Sequence, residues 1–367
     1  MARHTVTEDQ NAASRPVKPE EMVLFYRSCG NYSPAGDCWH LQIRGSIFSP
    51  ANGRFRKRAL LQLFKRVVKP EKAMETRRRF LDRAHLFLQD TRKGKSVPIA
   101  IAERAFQLPE TLPNGYFETT ITVQAAELAS AIQKDVFGRS FVQFCAHLPE
   151  NDQRLFAGEI ELITPQGISV ISDVDDTIKV SNVGNRKELL ANTFTREFQS
   201  IHGMPELYQN WAARGVSFHY VSASPWPLYR PLVDWIDADG FPVGTMHLRH
   251  IRLRDLRTDR KKETSYRTKL ASVRGLLRQF PQRRFILIGD SGERDADLYA
   301  EVIRDFGAQI SYVAIRDCSG LNEPAVASQV ASRFYGLPGD RWSLFRSPDE
   351  LAGIKIEASK IEESKLP

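Results

Sequence analysis

The ten residues ISVISDVDDT, Ile168–Thr177, join a short apolar run to a cluster of acids. Ile168–Ile171 lacks the polar alternation of a half-exposed strand, and this predicts a strand buried inside a sheet. Asp173, Asp175 and Asp176 then follow its carboxyl end. Downstream the pattern recurs. Val216–Val221 (VSFHYV), Phe285–Ile288 (FILI) and Ile310–Ile315 (ISYVAI) read as further strands. Pro205–Gly215, Pro227–Asp237, Thr268–Phe280 and Asp295–Phe306 read as helices between and after them. Strands alternating with helices predict an α/β domain with a parallel sheet over residues 166–335.

Upstream the period is different. Leu41–Phe48 (LQIRGSIF), Ile99–Ala102, Phe117–Val123 (FETTITV) and Gly158–Ile163 (GEIELI) alternate or are rich in β-branched and aromatic residues. Turn signals such as Pro113-Asn114-Gly115 punctuate them. A β-rich, sandwich-like domain is expected over 21–165, preceded by an unstructured tail at 1–20. Residues 336–367 read as a C-terminal extension without a strong pattern. One upstream segment departs from the β pattern: Ala59–Val68 (ALLQLFKRVV) has helical spacing, and Arg and Lys crowd the stretch 54–83. A basic amphipathic helix can lie on an anionic membrane surface, but a solvated face on a helix that packs on its own domain is the commoner use of such a pattern.

Composition narrows the class. Hydrophobic residues are 42% and charged residues 26% of the 367, which excludes a disordered chain and allows two cores. The net charge of +8 favours an anionic partner without choosing one. Cys29, Cys38, Cys145 and Cys318 form no CxxC pair, so no zinc or redox motif is signalled and free thiols are expected. The first residues have no apolar run, and no stretch reaches the ~20 apolar residues of a membrane span. A cytoplasmic protein, at most peripheral to a membrane, is expected.

In a parallel α/β sheet, ligands gather beyond the carboxyl ends of the strands. Three strands deliver polar groups there: Asp173, Asp175 and Thr177 after ISVI, Ser222 after FHYV, and Asp290, Glu293 and Asp295 after FILI. Lys269 opens the predicted helix Thr268–Phe280 nearby. Acids gathered at one edge repel one another unless a cation neutralises them, and Mg²⁺ is the small hard cation that oxygen ligands prefer. With it, a carboxylate can approach an anionic phosphate and attack phosphorus. A second acid then serves the proton transfers, while lysine and a hydroxyl hold phosphoryl oxygens. Each element alone is weak, since a lone DxDxT is often a turn or helix cap. His219 is expected in the core. Trp226 either lines the entrance or packs, and no role is assigned to His202, His247 or His250.

The order DVDDT, Ser, Lys, GDSGERD resembles the four motifs of the haloacid dehalogenase (HAD) superfamily. Within it, SDVDDTIKVSN, LLANTF, YVSASPW and FILIGDSGERD are similar to the actin-patch phosphatidate phosphatase family over 167–316. The resemblance implies a HAD-like (Rossmann-type) fold and Mg²⁺-dependent cleavage of phosphatidate to diacylglycerol and phosphate through an aspartyl-phosphate. It implies Asp173 as nucleophile and metal ligand, and Asp175 as acid/base whose carbonyl also binds the metal. Thr177 then fixes the loop, Ser222 and Lys269 bind phosphate, and Asp290 is a metal ligand. Asp295 supports the metal or Lys269, with Glu293 as its rival. Asp176 stands where many superfamily members carry glycine. The residues alone support a phosphomonoester. A phospholipid substrate is expected. Nucleic-acid ends rank lower, because no RRM, KH or zinc-finger pattern is present, and a non-catalytic scaffold is the remaining alternative. Protein partners are not legible.

Overall fold

The computed structural model describes residues 16–50, 62, 73–250, 261–319 and 324–356. They form two compact units, each treated by itself. The first is built from the chain up to Gln62 and from Phe87–Pro165. Its strands are β1 (Met22–Tyr26), β2 (Ser28–Ser33), β3 (Cys38–Ser49), β4 (Asp90–Thr91), β5 (Pro98–Ile101), β6 (Arg104–Gln107), β7 (Tyr116–Gln124), β8 (Gln133–Lys134), β9 (Ser140–Ala146) and β10 (Ala157–Ile163). Alternation turns one face of each strand inward. Leu41, Ile43 and Ile47 of β3 thus share one core with Ile99, Val142 and Ile160, all fully buried. The expected β-rich, sandwich-like domain is one hydrogen-bonded ten-stranded system, in which β2 pairs in parallel with β10. The turn signal at Pro113-Asn114-Gly115 is real: Gly115 has φ +75°, and a Cβ there would lie 2.6 Å from Ile47 O.

The expected tail at 1–20 is corrected for its last residues. Val17 is buried in the core, and Pro16 O accepts a hydrogen bond from Lys95 Nζ at 2.9 Å. Arg154 donates to Lys18 O at 3.1 Å and Pro19 O at 2.9 Å. A low apolar count hid a segment that is fixed by its backbone carbonyls.

The second unit contains a six-stranded sheet, in spatial order β13 (Thr245–Arg249), β12 (Ser217–Pro225), β11 (Ile168–Ser172), β14 (Arg284–Asp290), β15 (Ile310–Arg316) and β16 (Trp342–Phe345). Every pairing is parallel. Phe285–Asp290 are all buried in succession, so both faces of β14 are covered. The chain winds from β11 to one edge, returns across it, and winds from β14 to the other. The order therefore reverses between β11 and β14, where open α/β sheets bind ligands.

The helices are α1 (Met74–Leu86), α2 (Arg186–Phe194), α3 (Met204–Ala212), α4 (Tyr229–Ala238), α5 (Lys261–Gln279), α6 (Asp295–Phe306) and α7 (Pro324–Arg333). Helix α1 lies within the β-rich half in sequence, but its contacts belong to this second unit. Arg83 Nη1 donates to Thr193 O at 2.9 Å and Arg196 O at 2.8 Å, and its guanidinium lies 3.8 Å from the Phe198 ring centroid. Much of the basic stretch 54–83, including the expected helix Ala59–Val68, lies outside the described residues, as do residues 1–15, 251–260 and 357–367.

The edges of the sheet escaped the sequence reading. Strand β13 does alternate, with Met246 and Leu248 buried and His247 and Arg249 half-buried, but its five residues carry only two apolar side chains, and β16 sits in a stretch read as patternless. Helix α5 begins at Lys261, so Lys269 lies about two turns inside it rather than at its start. His219 is fully buried as expected, with Nδ1 2.8 Å from Thr245 Oγ1. Trp226 is buried and packs on Tyr229 and His250. None of the four cysteines forms a disulfide. Among the described residues, no helix is long and apolar enough to cross a membrane.

Candidate active site

Strands β11 and β14 run side by side, with Ser172 level with Ile288. Asp173 N donates to Ile288 O at 2.8 Å, and Asp290 follows on β14, so the register sets the two acids at the same edge. Helix α6 starts at Asp295 and brings a third acid, which suits the positive end of a helix dipole. Carboxylate oxygens of Asp173, Asp290 and Asp295 all lie within 4.8 Å of one another, and all three side chains are buried.

Lys269 reaches this cluster from α5. Its Nζ is 2.6 Å from Asp173 Oδ1, 2.5 Å from Asp295 Oδ1 and 3.5 Å from Glu293 Oε2. Asp295 Oδ2 accepts the backbone N–H of Asp290 at 3.3 Å, so Asp295 brackets both Lys269 and the end of β14. Glu293 is partly exposed and stands at the rim.

One ammonium among three buried carboxylates leaves two negative charges. Burial pushes the Asp173 carboxyl well above its ordinary range; Lys269 pulls it down, and Asp295, Glu293 and Asp290 push it up again. Burial and Asp295 do the same to Asp290. Asp290 Oδ1 accepts the N–H groups of Gly292 at 2.6 Å and Glu293 at 2.8 Å, while its Oδ2 is buried with no hydrogen-bond partner among the described residues. A buried carboxylate oxygen without a donor is costly. A divalent cation offsets both the orphaned oxygen and the surplus charge, so this donor set of hard oxygens fits Mg²⁺.

Gly289 makes the bracket possible. A Cβ at this position would lie 2.5 Å from Asp295 Oδ2 and 2.6 Å from its Cβ. Gly289→Ala is therefore expected to displace Asp295 from Lys269 and to destabilise the protein by about 1–3 kcal/mol, read by thermal melting. An unchanged melt would show that α6 moves without strain.

Asp175 occupies a separate pocket of donors. Its Oδ1 accepts from Ser181 Oγ at 2.6 Å and lies 2.8 Å from Lys179 Nζ. Its Oδ2 accepts from Ser222 Oγ at 3.1 Å and Ser224 Oγ at 3.0 Å. Burial works to raise this carboxyl, but Lys179 and the hydroxyls prevail and hold it at about 2, so it rests ionised. Thr177 Oγ1 donates to Asp173 Oδ2 at 3.1 Å. The structure thus brings Asp173, Lys269, Asp290, Asp295 and Thr177 into one cluster, with Asp175 and Ser222 joined to each other beside it.

Lys179, Ser181 and Ser224 were not singled out from sequence. Lys179 stands four residues after Asp175, a spacing that brings two side chains together on one turn, and that signal was available. Asp176 was noted only for replacing glycine. Its φ is +56°, the left-handed region that favours glycine. The carboxylate offsets this: Oδ1 accepts the N–H groups of Ser181 and Asn182, both at 2.8 Å, and Oδ2 that of Val183 at 2.6 Å. Asp176→Ala keeps the strain and loses these bonds, so it is expected to cost about 2–4 kcal/mol in denaturant unfolding. A loss below about 0.5 kcal/mol would contradict the role given to this side chain.

Comparison with known proteins finds similarity over the stretch that carries these residues. Residues 168–317 match the family model described as phosphatidate phosphatase APP1, catalytic domain. The chain is 37% identical over 161 residues to phosphatidate phosphatase APP1 of Saccharomyces cerevisiae, an overlap of 43% of this chain and 27% of that protein. It is 32% identical over 173 residues to an uncharacterised protein of Schizosaccharomyces pombe, covering 45% of this chain and 27% of that one. The chain thus matches about a quarter of the length of these relatives.

Proposed function

We propose, from the match of residues 168–317 to the phosphatidate phosphatase APP1 catalytic-domain family model, that this chain hydrolyses phosphatidate to diacylglycerol and phosphate. The observation that carries the reading is the meeting of Asp173, Asp290 and Asp295 with Lys269 where the strand order reverses. That arrangement, with the parallel six-stranded sheet, supports a HAD-like catalytic domain.

In this reading Asp173 is the nucleophile. Asp173, Asp290 and the carbonyl of Asp175, with Asp295 in support, would hold Mg²⁺, which when bound would supply charge neutralisation between carboxylate and phosphate. A carboxylate oxygen of Asp173 bonds to phosphorus, and the bond from phosphorus to the glycerol oxygen breaks. Asp175 gives its proton to the departing oxygen. It rests ionised, so it must gain that proton as the anionic phosphate binds beside it and raises its proton affinity. Asp175 then takes a proton from water as the water oxygen attacks phosphorus. The bond between Asp173 and phosphorus breaks, releasing inorganic phosphate and restoring the carboxylate. Lys269 and Ser222 hold phosphoryl oxygens, and Thr177 orients Asp173.

The test is phosphate release from phosphatidate in mixed micelles, with Mg²⁺ and with chelator. Release that needs Mg²⁺ is expected. Activity on DNA 3′-phosphates but not on lipid would replace the substrate, and no release from any monoester would leave a scaffold.

Phosphatidate stays in its bilayer, so the enzyme must come to the surface. We take it to be cytoplasmic and peripheral, which agrees with four cysteines that form no disulfide. Arg77 and Arg78 are exposed on α1 and continue the basic stretch that begins at Arg54. Each cation near an anionic surface is worth ~1 kcal/mol. The double change Arg77→Ala, Arg78→Ala is expected to weaken binding to phosphatidylserine vesicles by roughly 30-fold at low salt. Equal binding would remove α1 from the membrane contact.

A further inference from the structure

A cleft of about 480 Å³ adjoins both acid-bearing loops, and the mechanism above leaves it without a role. Asp176, next to Asp175, forms part of its wall, and so do Ser291 and Gly292, which follow Asp290. It lies within the second unit, and its walls continue in sequence from the loops that carry Asp175 and Asp290.

The lining says what chemistry it accepts. Val180, Val183, Ile201 and Val326 give it aliphatic surface. Asn182, Asn185, Ser291 and Ser319 add amides and hydroxyls. Among the described residues its two acids are already engaged. Asp176 is taken up by the three backbone N–H groups described above. Asp317 is 2.6 Å from Arg346 Nη2 and accepts from Ser319 N at 3.0 Å. The remaining charge is Arg316, which donates to Asp176 O at 2.8 Å and has no carboxylate partner among the described residues. The walls therefore combine aliphatic contact, hydrogen-bonding side chains and one cation. Among the described residues no aromatic side chain lines the cleft, so they offer a nucleobase no stacking platform.

Size narrows the ligand further. Small-molecule sites span ~300–1,000 Å³, and this cleft lies toward the lower end. A long acyl chain spans about half of the ~30 Å hydrocarbon core, so two such chains exceed it. An acceptor-rich aliphatic group of intermediate size fits.

Resting on the phosphatase reading, we propose that this cleft is the leaving-group subsite. It takes the ester-bearing glycerol backbone of a diacylglycerol phosphate, while the acyl chains stay outside. The ester carbonyls meet the donors of the walls, and the glycerol carbons meet the valines. Recognition here acts on the leaving group alone, so a small aryl phosphate does not depend on it.

Gly184 and Val326 provide the test, since both line the cleft and neither has a role in the chemistry. A Cβ on Gly184 meets no atom within 4 Å, and its φ is not in the left-handed region, so a side chain is tolerated. Gly184→Trp and Val326→Trp would be made in the whole chain and assayed with Mg²⁺. The substrates are soluble dioctanoyl phosphatidate, p-nitrophenyl phosphate and a 3′-phosphorylated dinucleotide. The expected result is a rise in KM for the phosphatidate of about tenfold or more, with kcat/KM for p-nitrophenyl phosphate within about twofold of wild type. Parallel behaviour of these two substrates in both variants, whether unchanged or lost together, would overturn the subsite. A selective loss on the dinucleotide instead would overturn its occupant. Wild-type protein that turns over p-nitrophenyl phosphate but not phosphatidate contradicts the lipid reading, and protein inert to all three contradicts the phosphatase reading itself.

Discussion

Asp173→Asn is expected to lower phosphatidate turnover by ~10³–10⁶-fold while leaving the fold intact. The amide cannot attack phosphorus, and losses of that order follow removal of a nucleophile that acts as a unit with its neighbours. The same change removes a negative charge from a buried set in which three carboxylates face one lysine. In chelator, the variant should therefore melt at the same temperature as wild type or higher. Activity lost together with stability would mean that Asp173 serves structure. Asp175→Asn also stops turnover but with the opposite thermal sign. It breaks a buried pair with Lys179, both side chains under a tenth exposed, and leaves that ammonium without its carboxylate. A loss of about 3–5 kcal/mol is expected from such a break. Calorimetry of the two variants side by side separates these effects.

Lys269→Met is expected to cost about 3–5 kcal/mol in chelator, because it leaves the carboxylates of Asp173, Asp290 and Asp295 buried without their cation. The pH dependence follows from the direction of the shifts. Asp173 and Asp290 already have raised carboxyl pKa values in the folded protein, and losing Lys269 raises them further. The folded state then holds more protons than the unfolded state above the ordinary carboxylate pKa of ~4. Stability falls as pH rises through that window, and more steeply in the variant. Adding Mg²⁺ should recover part of the loss, since the ion supplies the missing positive charge. Denaturant unfolding at pH 6 and pH 8, with chelator and with Mg²⁺, reads all three statements. A variant as stable as wild type in chelator would show that Lys269 does not hold the cluster.

The central strands were legible because their surroundings leave few choices. Ile168–Ile171 and Phe285–Ile288 are buried on both faces, so nearly every position must be apolar, and the acids that end them stand out. The edge strand β13 has no such constraint, and Thr245–Arg249 carries polar residues that conceal it. In the first unit the alternation in β3 and β7 gave strands but not topology. The parallel pairing of β2 with β10 brings together residues far apart in sequence, and no local pattern records it. Within the site, charged residues at strand ends were found because charge there is conspicuous. Lys179 and Ser224 were passed over because a lysine or serine in a loop has many ordinary uses. Only the fold brings both to one carboxylate.

The capture of phosphorus by Asp173 can be observed directly. Wild-type chain and the Asp173→Asn variant would be mixed with ³²P-labelled phosphatidate and Mg²⁺ and quenched in acid within one turnover, and the peptide carrying the label would be identified by mass spectrometry. The expected result is one phosphoryl group on Asp173, released by hydroxylamine and absent from Asp173→Asn. Phosphate released by wild type at full rate without any label on Asp173 would contradict the account.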